Sequence, residues 1–488
     1  MPNENENHTN SEEERKKSAV FGRQNMFGRR MILTSEQRIT EKNVVKVVEQ
    51  AFQTHLLNRS EIDYLWNYYK GKQPSLYRQR ELRPEISKNV VENRANQIVD
   101  FKTGYVLSKP ITYVSSTGGK ETDDVSESIG KLNNAMRKIG KRTKDKELVE
   151  WCNIAGHGYR YVVQNKERRK KAPFNLFTLD PRDTFVIRAN DYSKRRLAGV
   201  NYVTDENGNV TFTVYTDTAI YTIRKDTGRV QTANNAFGLI PIIEYPANTA
   251  RLGAFEIVLS LLDAINDFDC MRLEAVENFV QSLLVLYNCQ VEEGTTADTI
   301  RAAGMILLKS LGDNKADVKN LSEQLNQTEN QTLKDDMWNT VLQIVGMPSQ
   351  GDGSTGDSSN NGAVVLKNGW KGAETRAQAF EDMFQLPEMD MLDIVSVICE
   401  GMRDGFEFDP SDIDIKFPRH NDENLLSKSQ TLVTMLGSDK VHPKVAYEAS
   451  GLFSDTEEAY QLAMEWYEQI KAEMAKQNTP NPVVNKNE

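Results

Sequence analysis

Four carboxylates, Glu256, Asp263, Asp267 and Glu274, follow one another at spacings of 7, 4 and 7 residues. At 100° per residue in an α-helix they fall within about 40° of each other and form a straight acidic stripe. Phe255, Val258, Leu261, Leu262 and Ile265 take the other side of the same segment. The pattern predicts one amphipathic helix over 255–281, roughly 40 Å long, with its carboxylates facing water. A second group of polar side chains lies at 349–362, in the stretch SQGDGSTGDSSNNG. Ser349, Ser354, Thr355, Ser358, Ser359, Asn360 and Asn361 are suited to weak, exchangeable hydrogen bonds with phosphate oxygens. Asp352 and Asp357 are the only charges there, and no Lys or Arg is present to grip phosphate. Gly346, Gly351, Gly353, Gly356 and Gly362 leave this backbone many allowed states, and no large apolar residue anchors it.

No catalytic constellation accompanies these residues. G-x-x-x-x-G-K-[ST], G-x-S-x-G, H-E-x-x-H and C-x-x-C are all absent. The neighbouring pairs Asp123-Asp124 and Asp335-Asp336 cannot share a metal on a helix, because adjacent residues point apart. No catalytic, cofactor-binding or metal-ligating residues are therefore assigned, and no cofactor is expected.

The elements that must position the two groups can be read outward from the loop. A helix is predicted over 326–345, opened by the Thr328/Gln331 capping box and closed by Gly346-Met347-Pro348. After the loop, Val364, Val365, Trp370, Ala373, Ala377, Phe380 and Phe384 recur at helical spacing. The pattern resumes through Met391, Ile394, Val395 and Ile398, with a kink expected at Pro387. Between the two amphipathic helices, 283–291 and 305–309 read as strands and 295–303 as a short helix, a small α/β insert. The first 250 residues form an α+β body. Its helices are predicted from Glu41, from Ser60, over 90–105 and over 131–146, and its strands run between 159 and 246. The 131–146 helix is basic, with Lys131, Arg137, Lys138, Lys141, Arg142, Lys144 and Lys146. A strand at 413–417 and helices at 425–436, 443–449 and 455–476 complete the chain.

The chain has 488 residues, a net charge of −10 and a mean hydropathy of −0.58. An acidic balance argues against a dedicated nucleic-acid binder, whose affinity rests on clustered cations, but is compatible with letting a polyanion pass. The scattered Cys152, Cys270, Cys289 and Cys399 suit a reducing cytoplasm. No apolar run approaches the roughly 20 residues of a membrane span.

Four stretches carry a family likeness: NRSEIDYLWNYYKGKQP (58–74), RPEISKNVVENRANQIVDFKTGYVLSKPITYV (83–114), GHGYRYV (157–163) and GLIPIIEYP (238–246). They resemble the portal proteins (head-to-tail connectors) of tailed double-stranded DNA bacteriophages, in the siphophage type of Gram-positive hosts. The similarity in element order extends over about 40–465. The resemblance implies a homo-oligomeric ring, usually of twelve subunits, at one capsid vertex of the virion, assembled in the host cytoplasm. Double-stranded DNA would be packaged through it by terminase and later ejected. Its other partners would be a head-tail adaptor and the capsid and scaffolding proteins, with no membrane.

On that likeness the chain divides into a disordered arm (1–32), an α+β wing (33–253), stem helices (254–281 and 327–346) and an α/β clip (282–326). A tunnel loop (347–362), a kinked tunnel helix (363–405), a strand returning to the wing (406–424), a helical crown (425–476) and a disordered tail (477–488) follow. Glu256, Asp263, Asp267 and Glu274 are expected on the channel side of the stem, where an acidic wall would keep DNA centred. The competing expectations are a monomeric capsid-associated adaptor and a metal-dependent nucleic-acid enzyme.

Overall fold

The computed structural model describes residues 28–78, 87–116, 123–165, 172–280, 283–287, 289–290, 309–310, 317–321, 327–349, 369–402, 405–419, 425–438, 440–453 and 456–477. The chain opens with β1 (Ile32–Thr34), α1 (Val44–Tyr69), α2 (Arg94–Val106), β2 (Thr112–Ser115), α3 (Asp123–Lys138) and α4 (Lys141–Ala155). Eight strands follow: β3 (His157–Gln164), β4 (Phe174–Leu179), β5 (Thr184–Ala189), β6 (Arg196–Thr204), β7 (Val210–Tyr215), β8 (Ala219–Arg224), β9 (Val230–Asn234) and β10 (Ile242–Pro246). Then come α5 (Leu259–Val280), β11 (Leu283–Tyr287), β12 (Cys289–Gln290), β13 (Lys309–Ser310), β14 (Asp317–Leu321) and α6 (Gln327–Val345). The last elements are α7 (Trp370–Glu400), β15 (Ile413–Lys416), α8 (Leu425–Leu436), α9 (Pro443–Ser450) and α10 (Thr456–Gln477). This is an α+β fold in two compact units. Among the described residues one unit holds Trp66–Gln97 and Glu256–Val345, and the other Asn25–Leu65, Ile98–Phe255 and Gly346–Glu488.

The larger unit contains a six-stranded sheet in the order β1-β5-β6-β7-β8-β9, antiparallel except for the β1–β5 pair. Its strands alternate, so Phe212 and Val214 of β7 turn inward with Phe185, Val200 and Ile223. Val44, Val47, Val48, Ala51 and Phe52, one stripe of α1, cover that face. The Phe52 ring meets Tyr202 and Phe212 edge-on at 5.2 and 5.0 Å, the favoured geometry for aromatic pairs. A second sheet, β10-β3-β4, lies against β6 at Gly199, where a Cβ would come within 2.5 Å of the Ile242 Cβ. Its other neighbours are α3, α4 and α7, whose inward residues include Leu132, Leu148, Phe384, Met391, Ile394 and Ile398. β15 pairs antiparallel with β2.

Two local expectations change. The helices anticipated from Glu41 and from Ser60 are one helix, α1; the Ser60 hydroxyl donates back to the Leu57 carbonyl within the helix instead of capping a new one. The basic helix over 131–146 is two, separated at Gly140, which has φ +68. α7 runs through Pro387 as one continuous helix. The expected helix at 295–303 and the residues 363–368 lie outside the described residues.

In the smaller unit β11 pairs antiparallel with β14, and β12 with β13. Helices α5 and α6 pack together, and Leu262 and Ile265 of the one and Val341, Leu342 and Val345 of the other are buried.

Candidate functional site: the carboxylate helix, the loop base and a buried ionic knot

Helix α5 uses its polar face as a template for an irregular segment. Among the described residues of this segment, 70–78 and 87–93, the 3-10 turn Pro74–Tyr77 is the only regular structure, so the other backbone groups there need partners from elsewhere. The α5 face supplies them at helical intervals. Asp263 Oδ1 accepts from the Tyr68 hydroxyl at 2.9 Å, and Asp267 Oδ1 from the Ser75 hydroxyl at 2.9 Å. Asn266 Oδ1 accepts the Glu92 N–H at 2.8 Å, while its amide donates to Gln73 Oε1. The Cys270 thiol donates to the Val90 carbonyl at 3.4 Å, and Glu274 Oε1 lies 3.5 Å from the Lys88 N–H and 3.9 Å from Arg78 Nη1.

The acidic stripe is thereby consumed inside the protomer. Glu256, Asp263 and Glu274 are 7, 6 and 3% exposed, and Asp267 is half-buried. Three of the four positions are therefore not the solvated face expected of them. The periodicity of α5 was legible, but the segment covering it lies about 190 residues earlier and carries no periodicity of its own.

Helix α6 is tied to the same group. Lys334 Nζ lies 2.9 Å from Asp269 Oδ1 and 3.2 Å from Glu92 Oε1. Burial works to lower the Lys334 pKa, yet the Asp269 hydrogen bond and the two negative charges raise it above the ordinary value. Burial likewise disfavours the Glu92 carboxylate, but Arg94 and Lys334 hold its pKa below the usual range. The Arg94 guanidinium sits over the Trp338 ring, 4.2 Å from its centroid.

The base of the polar loop lies in the larger unit. Gly346 (φ +71) and Gly369 (φ +78) are both left-handed. A Cβ at Gly346 would collide with the Arg376 side chain at 2.3 Å, and one at Gly369 would touch the Pro348 Cα at 3.6 Å. The chain therefore leaves and returns at one place. Ser349 is half-buried there. Asp352, Ser354, Thr355, Asp357, Ser358, Ser359, Asn360 and Asn361 lie outside the described residues.

A third group escaped the sequence reading. Glu388, fully buried on α7 beside Pro387, receives Tyr113 Oη at 2.7 Å, Tyr245 Oη at 2.8 Å, Lys141 Nζ at 2.8 Å and Arg160 Nη1 at 3.4 Å. Asp145 takes Lys141 at 2.7 Å and Arg160 Nη2 at 2.6 Å. Two cations and two carboxylates cancel, as burial requires. Burial opposes ionisation of Glu388, but Lys141 and Arg160 outweigh it and hold the carboxyl well below the usual range. Burial and the Glu388 charge push both tyrosines well above theirs. A signal existed: Glu388 falls between Phe384 and Met391 on the apolar stripe, and a charge in that register must be paired.

None of these groups is arranged as a catalyst. The carboxylates are occupied by donors, and among the described residues no cluster of three His, Cys, Asp or Glu could hold a metal. Burial pushes the Cys152 and Cys399 thiols up to about 12, which keeps them unreactive. No helix among the described residues is long and apolar enough to cross a membrane.

The family profile described as "Phage portal protein, SPP1 Gp6-like" matches residues 49–479, and the chain belongs to that bacteriophage portal family. No curated protein matches the chain. Membership makes it a structural component of a phage capsid and a DNA-packaging connector; the family forms oligomeric rings and is not one of enzymes.

Proposed function

We propose that copies of this chain form a closed ring at one capsid vertex, usually of twelve subunits, whose central channel passes double-stranded DNA. In this reading 33–253 is the wing, 254–281 and 327–346 are the stem, and 282–326 is the clip that meets terminase and later the head-tail adaptor. Residues 347–362 are the tunnel loop, 363–405 the tunnel helix and 425–476 the crown. The observation that carries the reading is the family match over residues 49–479, a span that takes in the helix pair, the loop and the long helix. The α5 carboxylates then act as internal fastenings of the stem, while Ser349, Ser354, Thr355, Ser358, Ser359, Asn360 and Asn361 contact the duplex and Asp352 and Asp357 keep the loop from holding it tightly. Neutral polar groups permit sliding, where a ring of lysines would arrest the phosphates.

Replacing Gly353 and Gly356 with proline stiffens the loop without adding charge. Rings that assemble normally but package slowly or lose their DNA are the expected result. Normal packaging and retention by intact variant rings would refute the role of the loop.

A further inference from the structure

Acidic and basic surfaces lie near the two ends of helix α3. Its N-terminal half supplies Val125 and Ile129 to the floor of a groove of about 500 Å³, completed by Phe408 and the C-terminal turn of α7. Glu400, Glu407, Asp409 and Asp412 also line this groove. Glu400 accepts from the Ser396 hydroxyl and Asp409 from the Ser411 hydroxyl and N–H, and none of the four carboxylates meets a cation among the described residues. Burial, then Asp390 and, of the groove, Asp409 push the nearby Asp393 carboxyl above its usual range, against Arg196.

The other end is cationic. Of the seven basic residues between 131 and 146, three are used within the protomer: Lys131 pairs with Glu127, Lys141 with Asp145 and Glu388, and Lys144 donates to Asn175. Arg137, Lys138, Arg142 and Lys146 remain exposed and have no carboxylate partner among the described residues. Exposed Glu147 reduces the charge of this patch without cancelling it. The patch begins roughly 15 Å along α3 from the groove, by helix rise.

We propose that the groove receives the Arg137–Lys146 patch of a neighbouring copy of this chain. The proposal rests on the ring reading above. A closed ring needs heterologous contacts, in which one face of a subunit meets a different face of the next. Complementary charge near the two ends of α3, acidic on α7 and 407–412 and basic on α3 and α4, gives such a pair of faces and fixes their order around the ring. The apolar floor accommodates the methylene stems of Arg and Lys while their charged heads reach the rim.

The test compares the full chain with three variants by mass measurement across a concentration series at fixed salt. Glu400→Lys with Glu407→Lys reverses the groove, Arg137→Glu with Lys138→Glu reverses the patch, and the third variant carries all four. Each reversal alone should raise the concentration needed for assembly at least ~10-fold, and the combination should restore most of the loss. Wild-type rings with both reversals assembling equally well would overturn the docking while leaving the ring intact, and so would a combined variant no better than its parents. A wild-type chain that stays monomeric would overturn the ring and the docking together. Glu407→Cys with Arg142→Cys gives an independent readout that needs no reversed charge. Mild oxidation should yield a ladder of covalent oligomers, and wild-type-like rings without a ladder would refute the contact.

Discussion

Two sets of carboxylates do opposite things in this chain. Along α5, Asp263 and Asp267 each accept a hydroxyl, and the Glu274 carboxylate lies near a backbone N–H and, at 3.9 Å, Arg78. Around α7, Asp145 and Glu388 are shared between the same two cations, Lys141 and Arg160, and two tyrosines close the remaining valences. The first arrangement is a row of separate hooks that pins an irregular segment to a helix. The second is a knot, in which removing one member strands the others in a low-dielectric interior. The same side-chain chemistry thus gives graded, local attachment in one unit and all-or-none rigidity in the other.

The difference is sharpest under truncation of the knot. Glu388→Ala leaves two buried cations facing one carboxylate and should cost about 3–5 kcal/mol of stability, measured by chemical denaturation. A loss below about 1 kcal/mol would mean that water or rearrangement replaces the carboxylate, and the knot would be no different in kind from the hooks.

Acid should separate the two units next. Burial pulls the pKa of His55 from its ordinary 6.5 to about 4 and that of His157 to about 3, so both stay neutral in the folded larger unit. The unfolded chain takes up these protons first, so their contribution is complete above pH 6.5 and declines as pH falls toward the folded values. The loss is about 1.4 kcal/mol per pH unit for each histidine. Glu388, depressed from its ordinary 4.5, contributes stability that is fully present above that value and is lost as pH falls through the folded one, so its effect has the same sign. Residues 66–97 and 256–345 contain no histidine. Hydrogen exchange between pH 7 and pH 4.5 should show amides of the larger unit loosening first. Earlier loosening of α5 and α6 would reverse the comparison.

The hooks should fail singly and mildly. Tyr68→Phe removes one donor from Asp263 and should cost about 1–2 kcal/mol, with protection lost mainly in 66–93. Lys334→Met, at a partly exposed cation held by Asp269 and Glu92, should cost no more than about 1 kcal/mol. Effects that spread through the whole chain would show that α5 and its covering segment behave as a knot too.

What was legible in the sequence follows from range. Period-2 alternation placed β5 to β8, and helical spacing placed α5, α6, α7 and the three C-terminal helices, because those signals are carried within each segment. β14 was missed, since DVKNL at 317–321 has little β character of its own and is a strand by pairing with β11. The fate of the acidic stripe was illegible for a related reason. A charge stripe reads as a wet face unless its cover is known, and that cover is a segment without periodicity, joined to α5 only by tertiary contact. Glu388 was readable in principle, as a charge in core register, but its four partners come from β2, α4, β3 and β10.

The central claim is a ring with an open channel, and electron microscopy of the purified full-length chain viewed down the particle axis tests it most directly. The account predicts closed rings of one cyclic symmetry around a central opening wide enough for a DNA duplex. A chain that remains monomeric at micromolar concentration, or particles closed at the centre, would contradict it.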